Sequence, residues 1–284
     1  MPRQALGALR EDRLPSRLVV LYLGLVHVLA GMALFLPLRP GYVAAALGVY
    51  LSVGLGTTVG LHRLLSHRSF ACPRWLEYVL VSLAMTTGQG SPLLWVANHR
   101  IHHGHSDGPG DIHSPRHGFW YSHVGWIYDS GSTDPLAYQR YCRDLADDRY
   151  YHWLVPYRMV PQLVAVLLVA LIAGWGAVPF VFFLPVVCWM HSTYAVNSVC
   201  HWPSLGTRRF ATRDDSRNVW WVGLLALGEG WHNNHHASPR AARHGLGWHE
   251  LDLSYWFIRL LACLGLSWQL VEPARATRRT RSSA

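Results

Sequence analysis

Four apolar stretches, near residues 18–38, 41–61, 153–175 and 177–197, constrain this chain more than any other feature. Each holds about the 20 residues that an α-helix needs to cross a hydrocarbon core of roughly 30 Å. The 284-residue chain is 51% hydrophobic and only 14% charged, against roughly 25% charged in soluble domains. Only Arg39 and Pro40 separate the first two stretches, and a turn around Gly174 and Gly176 separates the last two. The expected fold is therefore an all-α integral membrane protein, multi-pass, with four transmembrane helices in two hairpins.

Charge is concentrated outside these stretches: around Arg3, Arg10, Arg13 and Arg17, in the segment 62–152, and after His201. With an even number of spans these regions share one side, and their arginine excess marks it as cytoplasmic. One domain over 1–273 is expected, with a cytoplasmic helical cap formed by 62–152 and 198–273 and a basic, disordered tail over 274–284. The apolar segment 76–96 is interrupted by Glu77, Gly88, Gln89, Gly90 and Pro92. It reads as lying on or dipping into the membrane surface, because a fifth span would separate two histidine clusters. No cleavable leader is visible, so the first stretch is expected to remain as an anchor. Cys72, Cys142, Cys188, Cys200 and Cys263 form no CxxC pair and are expected to be free thiols. The net charge of +9, including Arg275, Arg278, Arg279 and Arg281, suits anionic lipid headgroups and gives no reason to expect nucleic acid.

Nine histidines fall into four clusters: His62 and His67 in HRLLSH, His99, His102 and His103 in HRIHH, His201 in NSVCH, and His232, His235 and His236 in WHNNHH. Neutral imidazole suits iron, zinc, copper and nickel. A single tetrahedral zinc takes about four ligands, so nine histidines point to two metal ions. HxxHH on a helix lets all three rings face one way. His62 and His67 are five residues apart, which does not return to one face at 3.6 residues per turn; that pair requires a helix end or a bend. Because the clusters flank the ends of the spans and the segments that cap them, the hairpins are expected to gather them into one centre.

The other histidines carry less. His27 and His191 lie within apolar spans and read as hydrogen-bonded structural residues. His105, His113, His117, His123, His152, His244 and His249 fit no ligand spacing, with His105 and His123 the best candidates for a supporting contact. Asn197, one turn before His201, is either a helix cap or the holder of a metal-bound water. Glu229, three residues before His232, either accepts a bond from a ligating imidazole or opens a helix at the Gly228 and Gly230 turn. Trp95, Trp120, Trp126, Trp220, Trp221, Trp231 and Trp248 read mostly as an interfacial belt, some of them able to line an apolar tunnel.

From about Leu61 to Leu266, the segments HRLLSHRSF, WVANHRIHH, FWYSHVGW, NSVCH and GEGWHNNHHASPRAARHGL resemble, in order, those of the membrane fatty-acid desaturases, in their stearoyl-type, delta-9-like branch. The resemblance implies a non-haem enzyme with two Fe(2+) ions. Such an enzyme uses O2 and two electrons to place a first cis double bond in a long saturated acyl chain, as part of fatty acid and lipid biosynthesis. It implies His62, His67, His99, His102, His103, His201, His232, His235 and His236 as ligands, with Asn197 holding a water. The C–H bond is unactivated, so no side-chain base could replace the iron and dioxygen.

Animal acyl-CoA enzymes of this family carry an Arg-Asp pair before the second cluster and basic residues after SHVGW. Here Ala97 and Asn98 stand in the first place and IYDSGST, from Ile127 to Thr133, in the second. The last cluster resembles bacterial and cyanobacterial members, which implies a bacterial inner membrane and leaves acyl-CoA and acyl-lipid both open as substrate. A separate electron donor is implied, such as a ferredoxin or rubredoxin-like protein, for which a basic cytoplasmic face is suited.

Rival readings are a membrane di-iron hydroxylase or ketolase of a lipid or terpenoid and, more remotely, a metal transporter, whose sites sit near the bilayer midplane. A long acyl chain would be held by apolar walls. Its far end is expected among the first two spans, along Ala45, Ala46, Gly48, Gly54 and Gly56.

Overall fold

The computed structural model describes residues 16–129, 140–145 and 147–273. The arginines expected at either terminus, the basic tail and the segment 130–133 of IYDSGST lie outside them, Arg17 excepted. Among the described residues the structure is helical, and its only β pairings are isolated bridges.

Helix α1 (Ser16–Gly31) runs into a 3-10 turn at Met32–Phe35. Helix α2 (Pro40–Leu55) has Pro40 in its first turn, where a missing N–H costs nothing. It continues without a break as an 11-residue π-helix, Gly56–Ser66. Helices α3 (Arg74–Met85) and α4 (Pro92–His105) follow, the latter capped by Ser91, whose hydroxyl accepts from the Leu94 amide at 3.1 Å. A short helix α5 (Phe119–His123), then α6 (Arg149–Leu154), α7 (Val160–Ala173) and α8 (Leu184–Ser198) complete the bundle. Three short helices follow among the described residues: α9 (Trp220–Leu225), α10 (His232–Ala237) and α11 (Leu253–Cys263).

Among the described residues three continuous helices are long and apolar enough to cross a membrane: Arg17–Phe35, Pro40–Ser66 and Trp175–Ser198. The expected span at 153–175 is different. Helix α6 ends at Leu154, because Pro156 has no N–H with which to continue the ladder, and the chain turns before a new helix begins at Val160 with Pro161 in its first turn. The resulting α7 has 14 residues, or about 21 Å at the usual rise, and is too short to cross by itself. Its Leu163, Val164, Leu167, Leu168, Leu171 and Ile172 are nonetheless exposed, as are Leu21, Leu25, Val28 and Leu34 on the first helix. Such a large exposed apolar area suits lipid and not water.

One core lies under the histidine-bearing end, where Val59, Leu61, Leu80, Val81, Met85, Leu93, Val96 and Tyr151 are buried together. A second joins α1, α2 and α8 through Val26, Val53, Phe182, Val186, Trp189 and Met190. Gly54 and Gly56 serve this packing. A Cβ on Gly54 would sit 2.6 Å from Leu227 Cδ1 and one on Gly56 would sit 2.5 Å from the Ala84 amide nitrogen. All five cysteines are free.

Candidate metal centre

The π-helix resolves the five-residue spacing of the first cluster. A π-helix bonds each N–H to the carbonyl five residues back, so the His67 amide donates to the His62 carbonyl at 3.1 Å and both rings reach the same centre. Arg100, inside HRIHH, fastens this helix end. Its guanidinium donates to the carbonyls of Leu65 at 2.6 Å and Ser66 at 3.0 Å, which the helix leaves unpaired, and also to Asp144. The final cluster is set by glycines. Gly228 has φ +116° with Asp252 pressed against it, and a Cβ on Gly230 would lie 2.0 Å from the Gly223 amide nitrogen. Only glycine lets the Gly-Glu-Gly turn touch α9 and bring Glu229 inward. Asn233 and Asn234 anchor α10: the first accepts from the Arg209 and Phe210 amides, the second donates to the His244 carbonyl and Glu250.

All nine histidines meet in two adjacent groups. His62, His67, His99, His103 and His235 form one; His102, His201, His232 and His236 form the other, with one ring nitrogen of each member within 4.8 Å of the rest. The clusters do not stay together. HRIHH sends His99 and His103 to the first group and His102 to the second, while WHNNHH sends His235 to the first and His232 and His236 to the second.

Proton counting shows what these groups fit. His201 Nδ1 donates to Asp107 at 2.7 Å, His102 Nδ1 to Asp111 at 3.0 Å and His236 Nδ1 to Asp214 at 2.8 Å. A neutral ring held this way offers a bare Nε2. The Nε2 atoms of His201 and His236 each lie 3.0 Å from that of His232, and His102 Nε2 is buried with no protein partner. His232, whose Nδ1 has no acceptor, can supply at most one Nε2 proton to these bare lone pairs, and a metal ion satisfies them all. In the first group His235 Nε2 is 3.1 Å from His62 Nε2 and 2.9 Å from His103 Nε2, and His67 faces His99 at 2.7 Å. Burial, joined by neighbouring imidazoles, holds His67, His99, His103, His232, His235 and His236 well below the ordinary 6.5, in the neutral form that a ligand needs. Burial opposes ionisation of Asp107 too, but its bond from His201 prevails and its carboxyl falls to about 2.

Glu229 lies 2.8 Å from His62 Nδ1 and 3.2 Å from both His244 Nδ1 and Arg63, while Arg63, fully buried, also meets Asp252 at 2.9 Å. Asn197 is in the last turn of α8, beside the centre, and lines the same cavity as His102 and His232. His105 is exposed with Tyr141 3.5 Å away, and His123 bonds Ser198 and His191; neither touches the nine. His27 and His191 bond each other at 3.0 Å, as expected of structural residues. Sequence reasoning missed Asp107, Asp111, Asp214, Arg63, Arg100, His113 and His244. The one available signal was an acidic residue close to a histidine cluster in a chain with only 16 Asp and Glu.

A cavity of about 730 Å³ reaches both groups, touching His62 and His99 of one and His102 and His232 of the other, with Leu23, Leu94, Trp95 and Met190 among its walls. Trp95 thus lines the tunnel, whereas Trp120 and Trp248 are exposed. Ala45, Ala46, Gly48, Gly54 and Gly56 do not line it. The expectation that they close the tunnel is corrected by the packing of Gly54 and Gly56 against neighbouring helices.

Comparison with known proteins agrees with this geometry. The family model "Fatty acid desaturase" matches residues 39–262, more than half of the chain. The chain belongs to the fatty acid desaturase family. Membership makes it an oxidoreductase of fatty acyl chains. It is 44% identical over 241 residues to an sn-1 stearoyl-lipid 9-desaturase of Anabaena variabilis, covering 83% of this chain and 87% of that protein. It is 41% identical over 262 residues to an sn-2 palmitoyl-lipid 9-desaturase of Nostoc sp. (strain 36), covering 89% of each. An sn-1 stearoyl-lipid 9-desaturase of Synechocystis sp. is 39% identical over 257 residues, covering 89% of this chain and 79% of that protein.

Proposed function

We propose that this desaturase holds two iron ions on the nine histidines and introduces a cis double bond into a saturated acyl chain carried by a membrane lipid, in the manner of a 9-desaturase. The observation that carries the reading is the cavity, which brings one apolar channel to both histidine groups. Imidazole donors suit several metals, but removing hydrogen from adjacent methylenes is an oxidation that requires a redox metal, and iron fits both demands. The balance is –CH2–CH2– plus O2, two electrons and two protons, giving –CH=CH– and two waters.

The protein supplies placement. Apolar walls gain roughly 0.8 kcal/mol for each methylene they bury, enough to seat a long chain with the reacting carbons beside the histidines. The carboxylates behind His102, His201 and His236 fix ring orientation, Glu229 supplies a negative charge beside His62, and Asn197 orients a water. The Ala97 side chain is buried and Asn98 lines the cavity where acyl-CoA enzymes carry an ionic pair, which favours a lipid over a CoA carrier. The lipid-linked substrates named for the relatives point the same way.

In the membrane, α7 acts as the fourth crossing, with its short helix extended by the flanking turns. All four clusters then share the arginine-rich cytoplasmic side, where a separate acidic ferredoxin or rubredoxin-like protein delivers electrons. Expression in a desaturase-deficient bacterium, with the double bond located in each lipid class, tests this. The expected product is a 9-unsaturated chain appearing first in intact glycerolipid. A hydroxylated chain would favour the hydroxylase reading, and desaturation only of acyl-CoA would overturn the carrier.

A further inference from the structure

Four carboxylates stand behind the two histidine groups, and they are divided three to one. Asp107, Asp111 and Asp214 each accept from a member of the four-histidine group. The five-histidine group has Glu229 alone, beside His62 at 2.8 Å but without hydrogen-bond alignment. Among the described residues no carboxylate pairs with His67, His99, His103 or His235. Resting on the di-iron reading, we propose that the two metal positions are unequal: the four-histidine position holds its ion more tightly and releases it last.

The charge on the two sides differs in kind as well as number. Asp107 is otherwise bonded by the Asp215 amide and the Ser114 hydroxyl, Asp111 by the amides of Asp107 and His113, and Asp214 by the Ser216 amide and the Thr212 hydroxyl. These donors are neutral, so three negative charges face one cation. Glu229 shares its charge with Arg63 at 3.2 Å, which has Asp252 on its other side. The set Glu229, Arg63 and Asp252 carries a single net negative charge.

Four net negative charges in all balance two dications, and three of them sit at one position. Each such outer partner is worth about 10–100-fold in metal affinity, so two more of them amount to roughly 10²–10⁴-fold. The fifth imidazole of the other position acts against this, but it is neutral and cancels no charge.

The test is equilibrium removal of iron from the purified, ⁵⁷Fe-loaded protein by a graded ferrous chelator, followed by iron content and Mössbauer spectra. Two steps of one iron each are expected, with a single quadrupole doublet surviving the first. Asp111→Asn and Asp214→Asn, which keep shape and remove charge, should weaken the tighter step about 10–100-fold and leave the looser one unchanged. Asp214→Glu should restore it, and Glu229→Gln should weaken only the looser step.

Loss of both irons in one step in the unsubstituted protein would overturn the proposal whether or not any variant folds. So would weakening of the tighter step by Glu229→Gln. A protein that never holds two irons, even before chelator, would instead overturn the di-iron reading on which the proposal rests.

Discussion

The amide nitrogen of His67 donates to the carbonyl of His62 at 3.1 Å, five residues back along the chain. In an α-helix the two rings would diverge; in the π-helix they converge with ring centroids 4.8 Å apart. Inserting an alanine after Leu64 lengthens the interval to six residues, which returns to one face in neither an α- nor a π-helix, and turns His67 away from the centre. The insertion is expected to lower iron content and eliminate product while the helical circular dichroism spectrum is retained. Full iron content in the insertion variant would show that the π geometry is incidental.

Chain-length preference is expected to follow the cavity and not the small residues of the second helix. Leu23 lines the cavity, so Leu23→Trp should shift products toward shorter chains at unchanged iron content. Gly54→Leu drives a side chain into Leu227 and Trp189 and should cost about 1–3 kcal/mol of stability with no change of chain length. Fatty-acid profiles and thermal unfolding of both variants separate the two effects.

Arg63 is fully buried between Glu229 and Asp252. Arg63→Met leaves two carboxylates buried without their cation, and removing one partner of a buried pair costs about 3–5 kcal/mol. The expected result is a marked fall in the unfolding midpoint. A variant as stable as the parent would mean that water reaches this network.

Asp144 accepts from Arg100 at 2.7 Å and Arg68 at 3.2 Å. Partial burial works against its charge, yet these two arginines hold its carboxyl below the ordinary 3.8. A carboxyl depressed in the folded state binds fewer protons there than in the unfolded chain. Its stabilisation is therefore complete above the unfolded value and is lost as pH falls toward the folded one. Asp144→Asn should unfold at a lower temperature than the parent at neutral pH, and the gap should narrow below about pH 4. A gap that is constant with pH would show that Asp144 acts by packing alone.

The convergence of the nine histidines was legible because their number and spacing are carried in the sequence itself. Their division between two groups was not, since His99, His102 and His103 share one helix and only its rotation sends His102 to the other side. The carboxylates were hidden because Asp107 and Asp214 are brought to His201 and His236 by loop folding, not by a helical interval. The third apolar stretch was read as one helix on hydropathy alone, although Pro156 and Pro161 divide it. Small residues on the second helix suggested a tunnel wall, yet Gly54 and Gly56 are small for the sake of helix packing.

Metal content of the purified protein tests the account most directly. Two irons per chain are predicted for the parent. Replacing His62, His99, His201 or His235 by Ala should lower that number and abolish the unsaturated product while the protein still inserts in the membrane. One iron or none in an active parent, or undiminished turnover in all four variants, would contradict it.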